Sequence, residues 1–381
     1  MKSVLHIITG LNDGGAEAVL YRLCTHDRAD RHSVISLNGG GKYGPMLEAL
    51  GVPVTGLDMP RGTVTLSGLR QLWKCLRAAK PDVIQTWMYH ADFLGGVAAR
   101  LAGQRNIVWG IHHSTLEPGK SPRSTMAVAR ICAFLSRLVP RRIICCAEKA
   151  ASVHGALGYD RSLMEVVPNG YDLAVFSPNP AAGLAVRQTL GKGKEERVIG
   201  FVARFDPHKD HDNLLLALRR LADRGLCPLC LLVGTEMDEH NAVLLERLRD
   251  LRLLDRVRLL GRRNDIPAVM NAMDLHVMSS SGEAFPNVLA EAMACGTPCV
   301  STDVGDAAVI VGETGWIVPP SDPDALADAI EQALQEREHP EWQARKHAAR
   351  QRVQSRFSID RMVDNYRSIW FGDEELRADG A

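Results

Sequence analysis

The chain has 381 residues, 46% of them hydrophobic and 24% charged, with 45 Lys+Arg against 45 Asp+Glu. That length suits two domains, and that composition is ordinary for a globular protein. A formal net charge of zero excludes a function resting on overall charge, so any basic or acidic surface has to be a local patch.

The opening MKSVLHIITGLNDGG has one Lys and a short apolar stretch, too little for a secretion signal with its small-residue cleavage site. Val4 to Ile8 therefore reads as a first buried strand. No later run is long and apolar enough to span a bilayer. Gly14 and Gly15 follow the strand and open a helix from Ala16 to Cys24. Paired glycines let backbone approach a ligand closely, and Asp13 sits beside them. The spacing is not GxGxxG, so it offers little to a nicotinamide cofactor.

Strands are predicted at Ser33 to Leu37, Val83 to Thr86, Ile107 to Ile111 and Ile143 to Ala147, with helices between, such as Leu66 to Ala79. This alternation predicts a parallel sheet covered on both faces. Two strand ends carry polar clusters. After Thr86 come His90 and Asp92; Asp92 either caps the next helix or holds an acceptor hydroxyl. After Ile111 come His112 and His113. A lone His is usually a satisfied core residue, but the carboxyl ends of such strands are where ligands bind. Residues 118–142 carry Lys120, Arg123, Arg130, Arg137, Arg141 and Arg142 with no acid, interleaved with Met126, Ile131, Phe134 and Leu138. That spacing predicts a basic amphipathic helix. Such a helix either lies on an anionic membrane or packs on the sheet with a solvated basic rim.

Pro168-Asn169-Gly170 breaks the pattern, and residues 178–194 read as a linker. The alternation then restarts. Strands are predicted at 198–203, 229–233, 257–260, 275–278 and 298–301. Helices are predicted at 213–223, 241–251, 266–272, 288–294 and 325–335. A second doubly wound unit follows from this. Phe357 to Phe371 has a helical, aromatic-rich pattern, and the tail from Gly372 reads as frayed. The nine cysteines form no framework. Cys227 and Cys230 are a lone CxxC, and Cys230 belongs to an apolar strand, so zinc is not expected. Buried free thiols fit a reducing cytoplasm.

The most informative stretch is Ser279 to Pro298, SSSGEAFPNVLAEAMACGTP. It starts where a strand ends. Pro286 suits a helix start and Gly296 its end. A helix N-terminus is a ready anion site, with Gly282 and Ala284 small enough to leave room for a phosphate. Glu283 lies in the loop and Glu291 lies in the helix. A carboxylate beside an anion site suits sugar hydroxyls better than the anion. This makes Glu283 a candidate for a transferred sugar and Glu291 for a ribose, against the plain alternative of two solvated charges.

Glu283 and Glu291 form a Glu-x7-Glu, and their surroundings resemble retaining glycosyltransferases of the two-Rossmann-domain (GT-B) type, the group 1, family 4-like set. GFVARFDPHKD, Gly200 to Asp210, resembles that family's phosphate clamp, with Arg204 and Lys209 as its basic pair. Leu231 to Gly234, Gly261 to Ile266 with Arg262, Gly296 to Gly305 and Gly315 to Pro319 match further family segments. Two departures are Thr235-Glu236-Met237 after Gly234, and Val309 where the family often has Glu.

The resemblance implies an acceptor domain over 1–180, a donor domain over 181–355, and a C-terminal helix over 356–381 returning to the first domain, with the two domains facing across a cleft. Implied donor contacts are Gly14, Gly15, Arg204, Lys209, Gly234, Arg262, Glu283, Ala284, Phe285, Pro286, Asn287, Val288 and Glu291. Asp13, His90, Asp92 and His113 are candidate acceptor contacts. His112 is the match for the histidine near the reacting sugar, with His113 as fallback. Arg204 and Lys209 stabilise the leaving diphosphate, so no metal and no cofactor are expected; Asp322-Pro-Asp324 reads as a helix cap. The implied activity is transfer from a nucleotide-diphosphate-sugar, UDP favoured, to a glycan or lipid-linked acceptor in bacterial surface polysaccharide synthesis. It is placed in the cytoplasm at the inner face of the membrane. No carboxylate presents itself as a covalent nucleophile, so front-face transfer is expected. A non-catalytic nucleotide-sugar binder, or an epimerase or phosphorylase on the same fold, are the alternatives. Intact Glu283, Glu291, Arg204 and Lys209 argue against the first.

Overall fold

The computed structural model describes residues 1–60, 62–113 and 123–372. The chain forms two compact units, one of residues 1–170 with 359–381, the other of residues 171–358. The first unit runs β1 (Ser3–Ile8), α1 (Gly15–His26), β2 (Arg31–Ser36), α2 (Tyr43–Ala49), β3 (Val54–Gly56), α3 (Leu66–Ala79), β4 (Val83–Trp87), α4 (Tyr89–Leu101), β5 (Ile107–Ile111), α5 (Arg123–Leu135), β6 (Arg142–Cys145), α6 (Glu148–Leu157) and β7 (Met164–Val166). The second runs α7 (Pro180–Thr189), β8 (Val198–Val202), α8 (His211–Asp223), β9 (Leu229–Val233), α9 (Ala242–Asp250), β10 (Val257–Leu259), α10 (Ile266–Ala272), β11 (Leu275–Met278), α11 (Asn287–Ala294), β12 (Cys299–Thr302), α12 (Ala307–Val311), β13 (Trp316–Val318), α13 (Pro323–Glu336) and α14 (Glu341–Arg356). The last helix, α15 (Ile359–Phe371), belongs to the first unit.

Every strand pair is parallel. The first sheet has the order β3-β2-β1-β4-β5-β6-β7 and the second β10-β9-β8-β11-β12-β13. Their inner strands are buried without alternation: all five residues of β4, β5 and β9 are buried, as expected for strands covered on both faces. In each sheet the order reverses once, between β1 and β4 and between β8 and β11. In doubly wound sheets such a switch point opens a crevice at the strands' carboxyl ends. This positions the loops after β1, β4, β8 and β11.

The aromatic C-terminal pattern becomes α15. Met362, Tyr366, Ile369 and Trp370 fall on one helical face and enter the core that Val4, Ile8, Leu20, Leu23 and Trp87 form. Each such large apolar side chain contributes about 1.5–3 kcal/mol when buried. The Trp370 indole N–H donates to Gln85 Oε1 at 3.0 Å.

Three expectations change. The boundary expected at 180 falls at 170, because the Tyr171 N–H donates to Phe357 O at 2.9 Å and the Tyr171 hydroxyl donates to Asn287 Oδ1 at 2.5 Å. The expected linker is α7. Pro180 sits at its first turn behind the Asn179 cap, and Gly183 packs so closely on α10 that an added Cβ would stand 2.3 Å from Asn271 O. The basic helix is shorter than the segment from 118 to 142. Lys120 lies outside the described residues, and α5 stops at Leu135. Arg141 donates to Asn106 Oδ1 at 3.0 Å and to the carbonyls of Ile369 and Trp370, while Arg142 pairs with Glu165 at 2.9 Å. These two arginines tie the sheet and α15 together.

Candidate active site

In the second unit, the loops after β8 and β11 lie on either side of the switch point and are stitched to each other. The Ser281 N–H donates to His208 O at 2.8 Å, and the Ser279 hydroxyl donates to Lys209 O at 3.1 Å. Lys209 reaches across to Glu283 as an ion pair, their side chains 22% and 14% exposed. Glu283 also accepts from the Ser280 hydroxyl at 2.9 Å. Lys209 and Glu283 thus share one partly desolvated spot, where charge interactions are stronger than in open water. Arg204 is more exposed and donates to Asp206 Oδ2 at 3.0 Å. Burial raises the Asp206 carboxyl, but the His208 N–H and the Arg204 guanidinium outweigh it and hold the group below the usual carboxylate range.

Two glycines make these loops possible. Gly234, at the end of β9, has φ +147°, and a Cβ there would stand 2.1 Å from Ala203 O, beside Arg204. Gly305, at φ +57°, lies under the 283–284 loop, where a Cβ would stand 2.4 Å from Ala284 O. Side chains are excluded at both positions by contact and conformation. The helix that follows, α11, has no acidic residue in its first turn and no side-chain cap on its first N–H groups. Those groups and the nearby Lys209 suit an anion. Glu291 lies half-buried on α11.

The expected donor residues divide. Glu283, Ala284, Asn287, Val288 and Glu291 are half-buried along the loop and helix, and Arg262 is exposed beside Gly261. Phe285 and Pro286 are buried, and Phe285 packs edge-on against Phe357 with ring centroids 5.8 Å apart. Their side chains anchor the loop; only their backbone is left for a ligand. Asp322 caps α13, accepting from the N–H groups of Asp324 and Ala325 at 3.2 and 2.9 Å.

In the first unit, Gly14 and Gly15 begin α1 at the carboxyl end of β1, and Asp13 pairs with Lys42 at 2.8 Å. His90 is half-buried in the first turn of α4, and burial lowers its basicity. Asp92 is not the cap of α4. It is fully buried and accepts from the Thr86 hydroxyl at 2.5 Å. Burial raises its carboxyl well above the usual range, and the Thr86 hydroxyl ties it to the end of β4. His112 and His113 leave the end of β5 half-buried. The His112 ring stacks on Trp87 at 5.0 Å and 23°. Its Nε2 is shielded from solvent with no hydrogen-bond partner among the described residues. Burial lowers its pKa to about 4, so it is a neutral imidazole at physiological pH. Ser280, Asp206, Tyr171 and Trp87 support site residues yet carry no sequence signal of their own, because their partners are distant in the chain.

Two doubly wound parallel units, with a basic-acidic pair at the second unit's switch point, define the class: an α/β protein of two Rossmann-like domains, the GT-B fold. Residues 185–352 match the family described as Glycosyl transferases group 1, and residues 13–175 match Glycosyltransferase Family 4. EpsF of Bacillus subtilis (strain 168), a protein named as a glycosyltransferase, is 30% identical over 322 residues, 79% of this chain and 79% of its own. An Escherichia coli UDP-Gal:alpha-D-GlcNAc-diphosphoundecaprenol alpha-1,3-galactosyltransferase is 28% identical over 269 residues, 70% of this chain and 69% of its own. Among solved structures, Anabaena Alr3699/HepE in complex with UDP superposes with a TM-score of 0.84 at 24% identity, covering 99% of this chain and all of that one. The chain belongs to the group 1, family 4-like glycosyltransferases of the GT-B fold.

Proposed function

We propose that this glycosyltransferase moves a sugar from a UDP-sugar to a lipid-linked or glycan acceptor in bacterial surface polysaccharide synthesis, with retention and without a metal. The observation that carries the reading is the pairing of Lys209 with Glu283, beside Arg204 and the uncapped start of α11. In this reading the donor diphosphate takes Lys209, Arg204 and the α11 N–H groups. Glu283 accepts from hydroxyls of the transferred sugar, and Glu291 from the ribose. Cationic charge on Arg204 and Lys209 meets the negative charge that grows on the leaving phosphate, the work a metal does elsewhere. The anomeric C–O bond to phosphate breaks while the acceptor oxygen bonds on the same face, and the acceptor proton goes to the departing phosphate oxygen. Neutral His112 is the hydrogen-bonding group that the first unit offers to the reaction.

UDP is favoured because a structural neighbour binds UDP and a sequence relative is named for UDP-Gal and a lipid-diphosphate acceptor. The test is a thermal-shift comparison of UDP, GDP and ADP, followed by turnover of UDP-sugars in EDTA. A ligand that binds only the folded state raises its melting temperature, so UDP should give the largest shift. Turnover lost in EDTA would overturn metal independence. A trapped glycosyl-enzyme adduct would overturn front-face transfer, and UDP binding with no turnover would favour the non-catalytic reading.

Membrane attachment rests on a smaller patch than the sequence suggested. Phe134 and Leu138 are 71% and 58% exposed and Ile131 is 44% exposed, with Arg123, Arg130 and Arg137 exposed around them. Apolar groups rimmed by cations fit an anionic lipid surface. No helix among the described residues is long and apolar enough to cross a membrane. Flotation with phosphatidylglycerol vesicles should recover the wild type and lose Phe134→Ser; equal recovery would remove the patch.

A further inference from the structure

Five side chains form a line through the first unit that the transfer reading does not use. The Trp87 indole N–H donates to His6 Nδ1 at 3.2 Å. His6 Nε2 stands 2.9 Å from His32 Nδ1, and His32 Nε2 stands 3.2 Å from Asp27 Oδ2, a close polar approach without hydrogen-bond geometry. Arg367 closes the line, 3.9 Å from Asp27 Oδ1 and 2.9 Å from Asp30 Oδ2. His6 is fully buried, and His32 and Asp27 are 8% and 4% exposed. The line begins at a cavity of about 640 Å³ that Asp27, Asp30 and His32 help to line. It ends at Trp87, the last residue of β4, where the indole stacks on His112 and also on Tyr366, at 5.9 Å and 15°.

The direction of every proton in this line follows from one group. An indole N–H only donates, so His6 must offer a lone pair at Nδ1. Burial keeps the His6 pKa well below its usual value and its ring neutral. A neutral ring with a bare Nδ1 carries its proton on Nε2, so His6 donates to His32 Nδ1. His32 then holds its own proton on Nε2, facing the Asp27 carboxylate. Both hydrogen bonds point the same way, Trp87 to His6 to His32, and the far nitrogen of His32 faces the Asp27 carboxylate, which Arg367 approaches from its other oxygen.

The arrangement also resembles a metal site, since ligand atoms of His6, His32 and Cys24 lie within 4.8 Å of one another. A cation taking His6 Nε2 would force the ring proton onto Nδ1, against the Trp87 N–H, donor to donor. The hydrogen-bonded line and a bound cation exclude each other, and the Trp87 contact favours the line.

We infer that Asp27, His32 and His6 are positioning residues for sugar transfer: they fix the Trp87 indole in its plane, and through its stacked face they orient His112. The inference rests on the role proposed for His112. Fixing a reacting group in one orientation is a recognised source of rate, and small misplacements are costly.

Nitrogen-15 NMR of the histidine rings tests the line without any turnover. His6 and His32 should both appear as neutral Nε2–H tautomers. An Nδ1–H tautomer at His6, or stoichiometric zinc in the purified protein, overturns the inference. Trp87→Phe keeps a ring between Tyr366 and His112 but removes the donor. It should scramble the His6 tautomer and lower kcat roughly tenfold with the donor KM unchanged. Asp27→Asn, at the far end, should lower kcat in the same sense. Unchanged kcat in a folded Trp87→Phe with a scrambled tautomer overturns the positioning role. An unchanged rate in His112→Ala would instead remove the His112 role itself while leaving the tautomer result intact.

Discussion

Glu283 and Glu291 are one motif in the sequence and two environments in the structure. Glu283 is held at the switch point by Lys209 and the Ser280 hydroxyl, whereas Glu291 sits on α11. Their substitutions should therefore separate. Glu283→Ala should lower kcat about 100-fold, the scale for losing a group that acts in the transition state, and leave the UDP Kd within about threefold. Glu291→Ala should weaken UDP binding about tenfold, matching the loss of a charge-assisted hydrogen bond, and leave kcat nearly unchanged. Calorimetric titration of UDP alongside steady-state kinetics reads both, and equal effects on Kd and kcat from either change would refute the division. The Lys209–Glu283 contact itself was not legible in the sequence. Residues 74 positions apart meet only because β8 and β11 are neighbours in the sheet.

Elements with strong periodicity were readable, and those that depend on distant partners were not. Apolar runs such as Val198 to Val202 and Leu229 to Val233 announce buried parallel strands. The 3.6-residue spacing of Met362, Tyr366, Ile369 and Trp370 announces α15. By contrast, α14 buries only Trp342, Ala349 and Val353 in 16 residues, too sparse a stripe to stand out from a charged segment. The misread linker at α7 has the Pro, Gly and Ala content of a loop. Its Pro is a helix start, however, and its Gly183 is a contact with α10 that only the folded sheet reveals. The basic helix was read too long for a related reason: Arg141 and Arg142 look like a charged face in sequence, yet their partners lie on distant elements. Two substitutions test these packing arguments. Trp370→Ala should cost about 3–5 kcal/mol of stability, seen as a lower denaturation midpoint; a loss below about 1 kcal/mol would contradict α15 as core. Gly234→Ala forces a Cβ against Ala203 O at an unfavourable φ. It should destabilise by about 1–3 kcal/mol and weaken UDP binding through the Arg204 loop, with unchanged UDP affinity as the contrary result.

At the scale of the whole molecule, buried neutral histidines set the acid limit. Burial lowers His112, His154 and His211 to about 4 and His276 to about 3, and pushes His6 down as well. In the unfolded chain these groups take up protons near 6.5. Between that value and their folded values the unfolded state binds more protons, so stability falls as pH falls; above 6.5 the groups contribute no slope. Each one contributes up to about 1.4 kcal/mol per pH unit in that window. Asp92 and Glu17 act in the opposite sense, since their raised carboxyls take a proton in the folded state first, but they are two groups against six lowered histidines, His90 included. The melting temperature should be flat from pH 8 to 7 and drop steeply from pH 6 to 4.5, as differential scanning calorimetry would show. A flat profile to pH 4.5 would mean these rings are solvated.

The pairing at the second switch point is the part of this account on which the chemistry depends. The most direct test is the proton NMR spectrum of product formed from a UDP-α-sugar by the wild type and by Glu283→Ala at equal enzyme concentration. Wild-type enzyme should give an α-linked product, with the variant slower by about 100-fold. A β-linked product, or undiminished transfer by the variant, would contradict it.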